Sequence, residues 1–258
     1  MPFVDVGELR THFALTGDKE PVLVFSNSLG TDFSMWEPQV AELQRRFRIL
    51  RYDTRGHGQS SVLPADYTIE QLGRDVVGLL DSLRLDRVHF CGLSMGGMIG
   101  MWLGIHAPNR LHRLVLSNTA ARIGTKEMWN GRIATVRADG MKSVAAAVIE
   151  RWFTPEFRAS FPEKVVPAQR MIEKSPPEGY AACCSAIRDM DQRNAVAQIQ
   201  APTLVIYGGK DPVTPAADAH FLKDQIRGAI EVELAAAHLS NVEQADAFTE
   251  ALREFLPK

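Results

Sequence analysis

Apolar and polar residues alternate along this chain with two different periods. Short continuous apolar runs, typical of strands covered on both faces, are separated by longer segments in which apolar residues recur at helical spacing. In the first half, the predicted strands are 9–16, which belongs to an opening strand pair, then 22–25, 48–52, 88–90 and 111–117, and the predicted helices include 35–47 and 68–83. Strands that alternate with helices form right-handed crossover units. The pattern therefore predicts an α/β fold with a mostly parallel central sheet flanked by helices.

The alternation stops between residues 119 and 194. This stretch has the pattern of amphipathic helices without intervening strands. Prolines are predicted to break these helices, because proline lacks the backbone N–H that a helix interior needs. They are Pro155, Pro162, Pro167, Pro176 and Pro177.

The strand and helix pattern resumes after the insertion. A strand is predicted at 203–207, a helix at 218–226, a short strand at 229–234 and a closing helix at 242–256. Because the sheet continues beyond the helical stretch, we expect a core of residues 1–118 and 195–258. Residues 119–194 would form a helical cap inserted after the sixth strand.

The composition argues against several classes of partner. The 258 residues include 29 basic and 31 acidic side chains, so there is no basic excess to neutralise a phosphate backbone, and nucleic acid is not an expected partner. No apolar run approaches the ~20 residues of a membrane span, and residues 1–6 do not resemble a signal peptide. Cys91, Cys183 and Cys184 have no metal-ligand spacing. We expect a soluble cytoplasmic protein with ordinary buried thiols, and no oligomeric state is predicted.

A candidate nucleophile lies at residues 92–96, where the sequence is Gly-x-Ser-x-Gly. Ser94 follows a predicted strand and precedes a helix rich in small residues. A sharp strand-to-helix turn exposes the serine hydroxyl, which is a weak nucleophile unless a base and oxyanion donors lie beside it. Gly92 and Gly96 would allow the strained turn to approach the neighbouring backbone.

Partners for Ser94 are expected where parallel strands end, because ligands bind at the carboxyl ends of the strands. Asp211 follows the strand predicted at 203–207, and His238 follows the strand predicted at 229–234. The chain order Ser, Asp, His is that of α/β-hydrolases. Asp189 and Asp191 are rival acids, but no predicted strand end would hold them, so Asp211 is preferred.

The motifs together resemble those of α/β-hydrolase-fold enzymes over nearly the whole chain, and most of all the 3-oxoadipate enol-lactonases of bacterial aromatic catabolism. The general resemblance rests on the segments 92–97, 52–58, 208–211 and 237–238, and the closer one on 26–32, 129–132 and 179–184. Many relatives have His-Gly where this chain has Asn27 and Ser28, a departure that is itself typical of the enol-lactonase group.

The resemblance implies a serine esterase mechanism that needs no metal or organic cofactor. His238, oriented by Asp211, would take the proton of Ser94, which attacks the ester carbonyl. The backbone N–H groups of Leu29 and Met95 would form the oxyanion hole. We interpret the segment 55–58, Arg-Gly-His-Gly, as a structural turn.

The implied substrate is a small enol lactone that carries a carboxylate, so the cap should offer a cation. Arg132 is the candidate, with Trp129 and Trp152 as apolar walls. The alternatives are that Arg132 is a solvated helix residue and that both tryptophans only pack the cap.

Two other functional classes remain open. A carboxylesterase or a carbon–carbon bond hydrolase of this fold would keep the same three residues and differ in the cap. A ligand receptor on this fold could also retain them while turning over slowly. A haloalkane dehalogenase is disfavoured because its nucleophile is an aspartate, whereas this chain has Ser94.

Overall fold

A central sheet of eight strands organises residues 2–257, the part of the chain described by the computed structural model. The core predicted from the sequence also includes residues 1 and 258, which lie outside the described residues. The strands are β1 (Phe3–Val6), β2 (Leu9–Thr16), β3 (Val22–Ser26), β4 (Arg48–Tyr52), β5 (Val88–Leu93), β6 (Leu111–Ser117), β7 (Thr203–Gly208) and β8 (Ile230–Leu234). Their order across the sheet is β1-β2-β4-β3-β5-β6-β7-β8.

Most of the sheet is parallel. The pairs β1–β2 and β2–β4 are antiparallel, and every pair from β4 to β8 is parallel. All residues of β3, β5 and β7 are buried, which explains why these strands are continuous apolar runs rather than alternating ones. The predicted mostly parallel sheet is confirmed.

Helices connect and cover the strands. Within the described residues the α-helices are α1 (Glu37–Leu43), α2 (Ile69–Ser82), α3 (Met95–His106), α4 (Lys126–Asp139), α5 (Lys142–Trp152), α6 (Pro155–Ser160), α7 (Pro162–Lys174), α8 (Pro177–Asp189), α9 (Ala216–Gln225), α10 (Ser240–Glu243) and α11 (Ala245–Phe255). Helix α3 packs on β5 and β6, and α2 packs on α3. None of the described helices is long and apolar enough to cross a membrane.

Five helices, α4 to α8, lie between β6 and β7, after the sixth strand as predicted. Helix α4 packs against α8, and α5 packs against α7. Pro155, Pro162 and Pro177 each open a helix, where the missing N–H has no intrahelical role. The prediction that Pro167 breaks a helix is wrong, because it lies inside α7. Core packing of Val165 before the proline and of Ala168 and Ile172 after it stabilises the helix on both sides of Pro167.

The prediction of one continuous closing helix at 242–256 is also wrong in one respect. It is divided into α10 and α11, because the backbone of Gln244 leaves the helical region at φ −122° and ψ 52°. The Gln244 side chain donates to the carbonyl of Ala235 at 3.2 Å. This break ends α10 at Glu243, close to the end of β8.

Candidate active site

Ser94 occupies a strained turn between β5 and α3. Its φ is +56°, in the left-handed region that residues with a side chain rarely adopt. The turn requires glycine on both sides: a Cβ on Gly92 would lie 2.1 Å from the carbonyl oxygen of Gly96, and a Cβ on Gly96 would lie 2.2 Å from that of Ser26. The glycines of the motif are therefore needed for close backbone approach.

Hydrogen bonds from β6 and the residues after it hold this turn. The Ser94 N–H donates to the carbonyl of Ser117 at 2.9 Å, and the Thr119 hydroxyl donates to the carbonyl of Ser94 at 2.7 Å. A strained residue persists only when its surroundings fix it. Both peptide groups of Ser94 are fixed in this way.

Asp211 and His238 form a buried pair at the ends of β7 and β8. The two strands are parallel neighbours, so their carboxyl ends lie side by side. The Nδ1 of His238 lies 2.7 Å from Oδ2 of Asp211. An ionised carboxylate only accepts, so Nδ1 carries the proton and Nε2 is left as an acceptor. That is the tautomer a general base requires.

Asp211 has further donors. Thr214 donates through its hydroxyl to Oδ2 at 2.7 Å, Asn118 donates through Nδ2 at 2.9 Å, and the Val213 N–H donates to Oδ1 at 2.7 Å. Burial by itself raises the pKa of this carboxyl. The neighbouring His238 and the hydrogen bonds from Asn118 and Thr214 outweigh burial, so the pKa lies below its ordinary value.

Asn118 is a residue that the sequence analysis missed. Besides Asp211, its Nδ2 donates to the carbonyl of Ala237 at 3.2 Å. Its Oδ1 accepts from the hydroxyls of Ser117 and Ser240. Asn118 thus joins the loop that holds the acid to the loop that holds the histidine. A polar residue directly after β6, at the same sheet edge as Ser94, was the available signal.

The rival acids lie elsewhere. Asp189 is paired with Arg188 at 2.6 Å, and Asp191 is paired with Arg193 at 2.6 Å. All four side chains are partly exposed, and neither acid is hydrogen bonded to His238. The geometry is in keeping with the preference for Asp211.

A cavity of about 350 Å³ lies above the pair. Ser94, His238 and Leu29 line it from the core, so the structure brings these predicted residues together. Among the described residues, Ser94 Oγ has no hydrogen bond to His238. Catalytic hydrogen bonds are often longer before the substrate binds and tighten afterwards.

The first predicted oxyanion donor is the N–H of Leu29, for which no partner is recorded among residues 2–257. The next N–H, that of Gly30, donates to Nε2 of His57 at 2.9 Å. His57 is fully buried, and burial lowers its pKa to about 4, so the ring is neutral and can accept. His57 does not line the cavity, but it fixes the loop that presents Leu29.

The second predicted donor is the N–H of Met95, the first residue of α3, where no intrahelical partner exists. Its neighbour Gly96 donates to the carbonyl of Asn27 at 3.0 Å, which ties the start of α3 to the loop after β3. The positive end of the α3 dipole would add to the stabilisation of an anion there.

The segment 55–58 contributes to structure, as its interpretation predicts. Arg55 forms a bidentate pair with Asp75 at 2.7 and 2.6 Å. A Cβ on Gly56 would lie 2.7 Å from the Cα of Gly179 in α8, so the loop and the helix touch through their backbones.

The predicted walls Trp129 and Trp152 line the cavity, and so does Arg132. The Arg132 guanidinium lies 5.3 Å from the ring centroid of Trp129, within range of a cation–π interaction. A second arginine, Arg151, also lines the cavity and was missed, although it directly precedes Trp152 in a predicted cap helix. Burial lowers the pKa of Arg151, and the nearby Arg132 lowers it further.

Neither arginine has a carboxylate partner within the described part of the chain. Tyr180 lies near both of them at the cavity wall, and burial raises the pKa of its hydroxyl. A partly enclosed site with two positive charges, neither of which has a carboxylate within ion-pair distance, is suited to an anionic ligand.

This fold and this constellation define a class of hydrolase, and the sequence comparison agrees. The profile of the alpha/beta hydrolase fold matches residues 21–245, and the chain belongs to that family. It is 42% identical over 252 residues to 3-oxoadipate enol-lactonase 2 of Acinetobacter baylyi, covering 97% of this chain and 94% of that one.

Solved structures give the same picture. The enol-lactonase of Burkholderia xenovorans superposes with a TM-score of 0.98, is 45% identical, and both chains are covered completely. A thermophilic esterase from Thermogutta terrifontis, solved with malate bound, has a TM-score of 0.91 and 31% identity, covering 95% of this chain and 92% of that one.

Proposed function

We propose that this protein is a serine hydrolase that opens 3-oxoadipate enol-lactone to 3-oxoadipate in aromatic compound catabolism. The observation that carries the proposal is the pair of arginines without an ion-pair partner, Arg132 and Arg151, in the cavity that is also lined by Ser94 and His238. The named enol-lactonase relatives support the same substrate.

The first step is attack of the Ser94 Oγ on the ring carbonyl carbon. His238 accepts the serine proton at Nε2, and Asp211 stabilises the imidazolium that forms. Negative charge develops on the carbonyl oxygen, where the N–H groups of Leu29 and Met95 receive it. Removing one such donor typically costs about 2.7 to 4 kcal/mol of barrier, so fixing both loops matters.

Collapse of the tetrahedral intermediate breaks the ring carbon–oxygen bond. The leaving group is an enolate oxygen that remains tethered to the acyl chain; it takes the proton from the His238 imidazolium, which returns His238 to its neutral form, and the enol tautomerises to a ketone. Water then attacks the acyl-enzyme while His238 removes its proton, and Ser94 regains its hydrogen. The product leaves with two carboxylates. No metal or organic cofactor takes part in these steps.

The carboxylate of the lactone is bound by the cap. Arg132 is placed over Trp129 and offers a planar donor fork that matches a carboxylate. Trp152 supplies an apolar wall, and the cavity of about 350 Å³ suits a small ligand. In this proposal residues 119–194 form the cap, and residues 1–118 and 195–258 form the core.

We place the reaction in the cytoplasm, where Cys91, Cys183 and Cys184 would stay reduced; all three are buried thiols. The partner is the small lactone, and neither nucleic acid nor membrane takes part.

A general carboxylesterase is the second candidate, supported by the 31% identical esterase from Thermogutta terrifontis. The two differ in what the arginines do. A lactonase uses them to bind the carboxylate of its substrate, whereas an esterase for neutral esters gains nothing from them.

The deciding assay compares two substrates. The enol lactone is generated enzymatically and its loss is followed by ultraviolet absorbance, with nitrophenyl butyrate measured in parallel. We expect kcat/KM for the lactone to be far higher. An equal or higher value for nitrophenyl butyrate would replace the lactonase with a general carboxylesterase. Burst kinetics without steady-state turnover of either substrate would indicate a ligand receptor.

A further inference from the structure

Glu243 is a buried carboxylate that the mechanism does not use. It ends α10 and is only 8% exposed. Within residues 2–257 no lysine, arginine or histidine is paired with it. A buried carboxylate without a cation persists only when hydrogen bonds satisfy its oxygens.

The donors to Glu243 come from two separate parts of the fold. The N–H of Ala237, the residue before His238, donates to Oε2 at 2.9 Å. The Thr154 hydroxyl donates to Oε1, and the Thr154 N–H lies 3.3 Å from the same oxygen. Thr154 is the second of the two residues between α5 and α6 in the cap, and it caps the N-terminus of α6. The carboxylate therefore bridges the cap and the histidine loop.

The residue on the other side of His238 is also bonded to the cap. The N–H of Leu239 donates to the carbonyl of Trp152 at 3.0 Å. Ala237 is also held at its carbonyl, which belongs to the peptide group before His238 and accepts from Nδ2 of Asn118 at 3.2 Å. His238 thus lies between two peptide groups whose positions depend on residues 152–154.

We propose that Glu243 is a positioning residue that holds His238 in place through the Ala237 N–H and couples this position to the cap through Thr154. The pairing of His238 with Asp211 at 2.7 Å requires the histidine loop to be placed within a few tenths of an ångström. The inference rests on the proposed role of His238 as the general base.

The hydrogen bonds from Thr154 through Glu243 to the Ala237 N–H form a link between the cap and His238. The substitution Glu243→Gln tests this link with little change in the shape of the side chain. The amide nitrogen of glutamine cannot accept a hydrogen bond. If it faces Ala237, the contact with the Ala237 N–H is lost; if it faces Thr154, the hydroxyl can turn to accept from it, but the contact with the Thr154 N–H is lost. With nitrophenyl acetate, a small neutral ester, we expect kcat to fall by about tenfold or more with KM changed less than about twofold, because the base is displaced and the binding walls are not.

Two substitutions of Thr154 isolate the cap side of the link. Thr154→Val removes the hydroxyl donor and should lower kcat in the same way, whereas Thr154→Ser keeps it and should behave like the parent. Thr68→Val is the matched control, because Thr68 caps α2 in the same manner but has no contact with Glu243. Since Glu243 and Thr154 act through one link, the double variant Glu243→Gln/Thr154→Val should lose little more than either single variant.

A spectroscopic readout separates positioning from stability. The proton on Nδ1 of His238, held in a short hydrogen bond, should give a low-field proton NMR resonance. We expect it to shift or broaden in Glu243→Gln and Thr154→Val and to remain in Thr154→Ser and Thr68→Val.

The proposal is overturned if folded Glu243→Gln and Thr154→Val keep kcat within about twofold of the parent and retain the resonance. If Glu243→Gln does not fold, Thr154→Val decides, since it leaves the carboxylate in place. Ser94→Ala is assayed in parallel: turnover by Ser94→Ala would reject the proposed function, whereas an inactive Ser94→Ala beside fully active link variants rejects only this inference.

Discussion

His57 should make the stability of the protein depend on pH in a way that a single substitution can reveal. Burial lowers its pKa from the ordinary 6.5 to about 4. Between these two values the unfolded chain binds a proton at His57 that the native protein does not. The free energy of unfolding therefore falls as the pH falls through this window. The full loss is about 3 kcal/mol below pH 4, of which about 2 kcal/mol has occurred by pH 5.

The substitution His57→Gln removes the titration but keeps an acceptor for the Gly30 N–H. At pH 8 the variant should be less stable than the parent, because the amide fills the buried site less well. At pH 5 the difference in free energy of unfolding between the two proteins should be smaller by about 2 kcal/mol, since only the parent loses stability through this group. Other groups that titrate, such as the buried His89, are common to both proteins and cancel.

The measurement is urea unfolding of both proteins at pH 8 and pH 5, with equal m-values required for the comparison. A difference in stability that is the same at both pH values would refute the reasoning. It would mean that His57 does not change its proton affinity on folding.

Three further predictions concern the site. Asp211→Asn should lower kcat by about a thousandfold or more, because the amide cannot stabilise the imidazolium. Asp191→Asn should keep kcat near that of the parent. If steady-state assays give the reverse result, the assignment of Asp211 as the acid is wrong. Arg132→Ala should raise KM for the lactone by about tenfold or more, because the carboxylate loses its partner. KM for nitrophenyl acetate, which carries no charge, should stay unchanged. Equal losses on the two substrates would show that Arg132 only supports the cap. Asn118→Ala should raise the pKa of Asp211 by removing a donor, which a carbon-13 NMR titration of the Asp211 carboxyl would show, and an unchanged pKa would contradict the role of Asn118.

The residues that sequence could place are those held by local pattern. Ser94 is marked by flanking glycines at a strand end, Asp211 follows a continuous apolar strand, and His238 follows a short strand in which apolar and acidic residues alternate. Each position depends on a few neighbouring residues and on the rule that parallel strands end at one edge.

The residues that escaped prediction depend on contacts between distant segments. Asn118 meets Asp211 across 93 positions, and Thr154 meets Glu243 across 89. Neither partner carries a local motif that names the other. The split of the closing helix was also missed, because the backbone turn at Gln244, whose side chain donates to the carbonyl of Ala235, leaves no mark in the helical spacing.

The backbone contact between Gly56 and Gly179 limits how this enzyme could be re-engineered. Chimeras that graft the cap of another hydrolase onto this core would have to keep glycine at the position facing Gly56, since a Cβ on Gly179 would lie 2.1 Å from the Gly56 carbonyl oxygen. Any larger residue would push α8 away from the core. Tyr180, the next residue, lines the cavity and would move with it. A grafted cap without this glycine would therefore have a cavity of altered shape and would not reproduce the specificity of its parent enzyme.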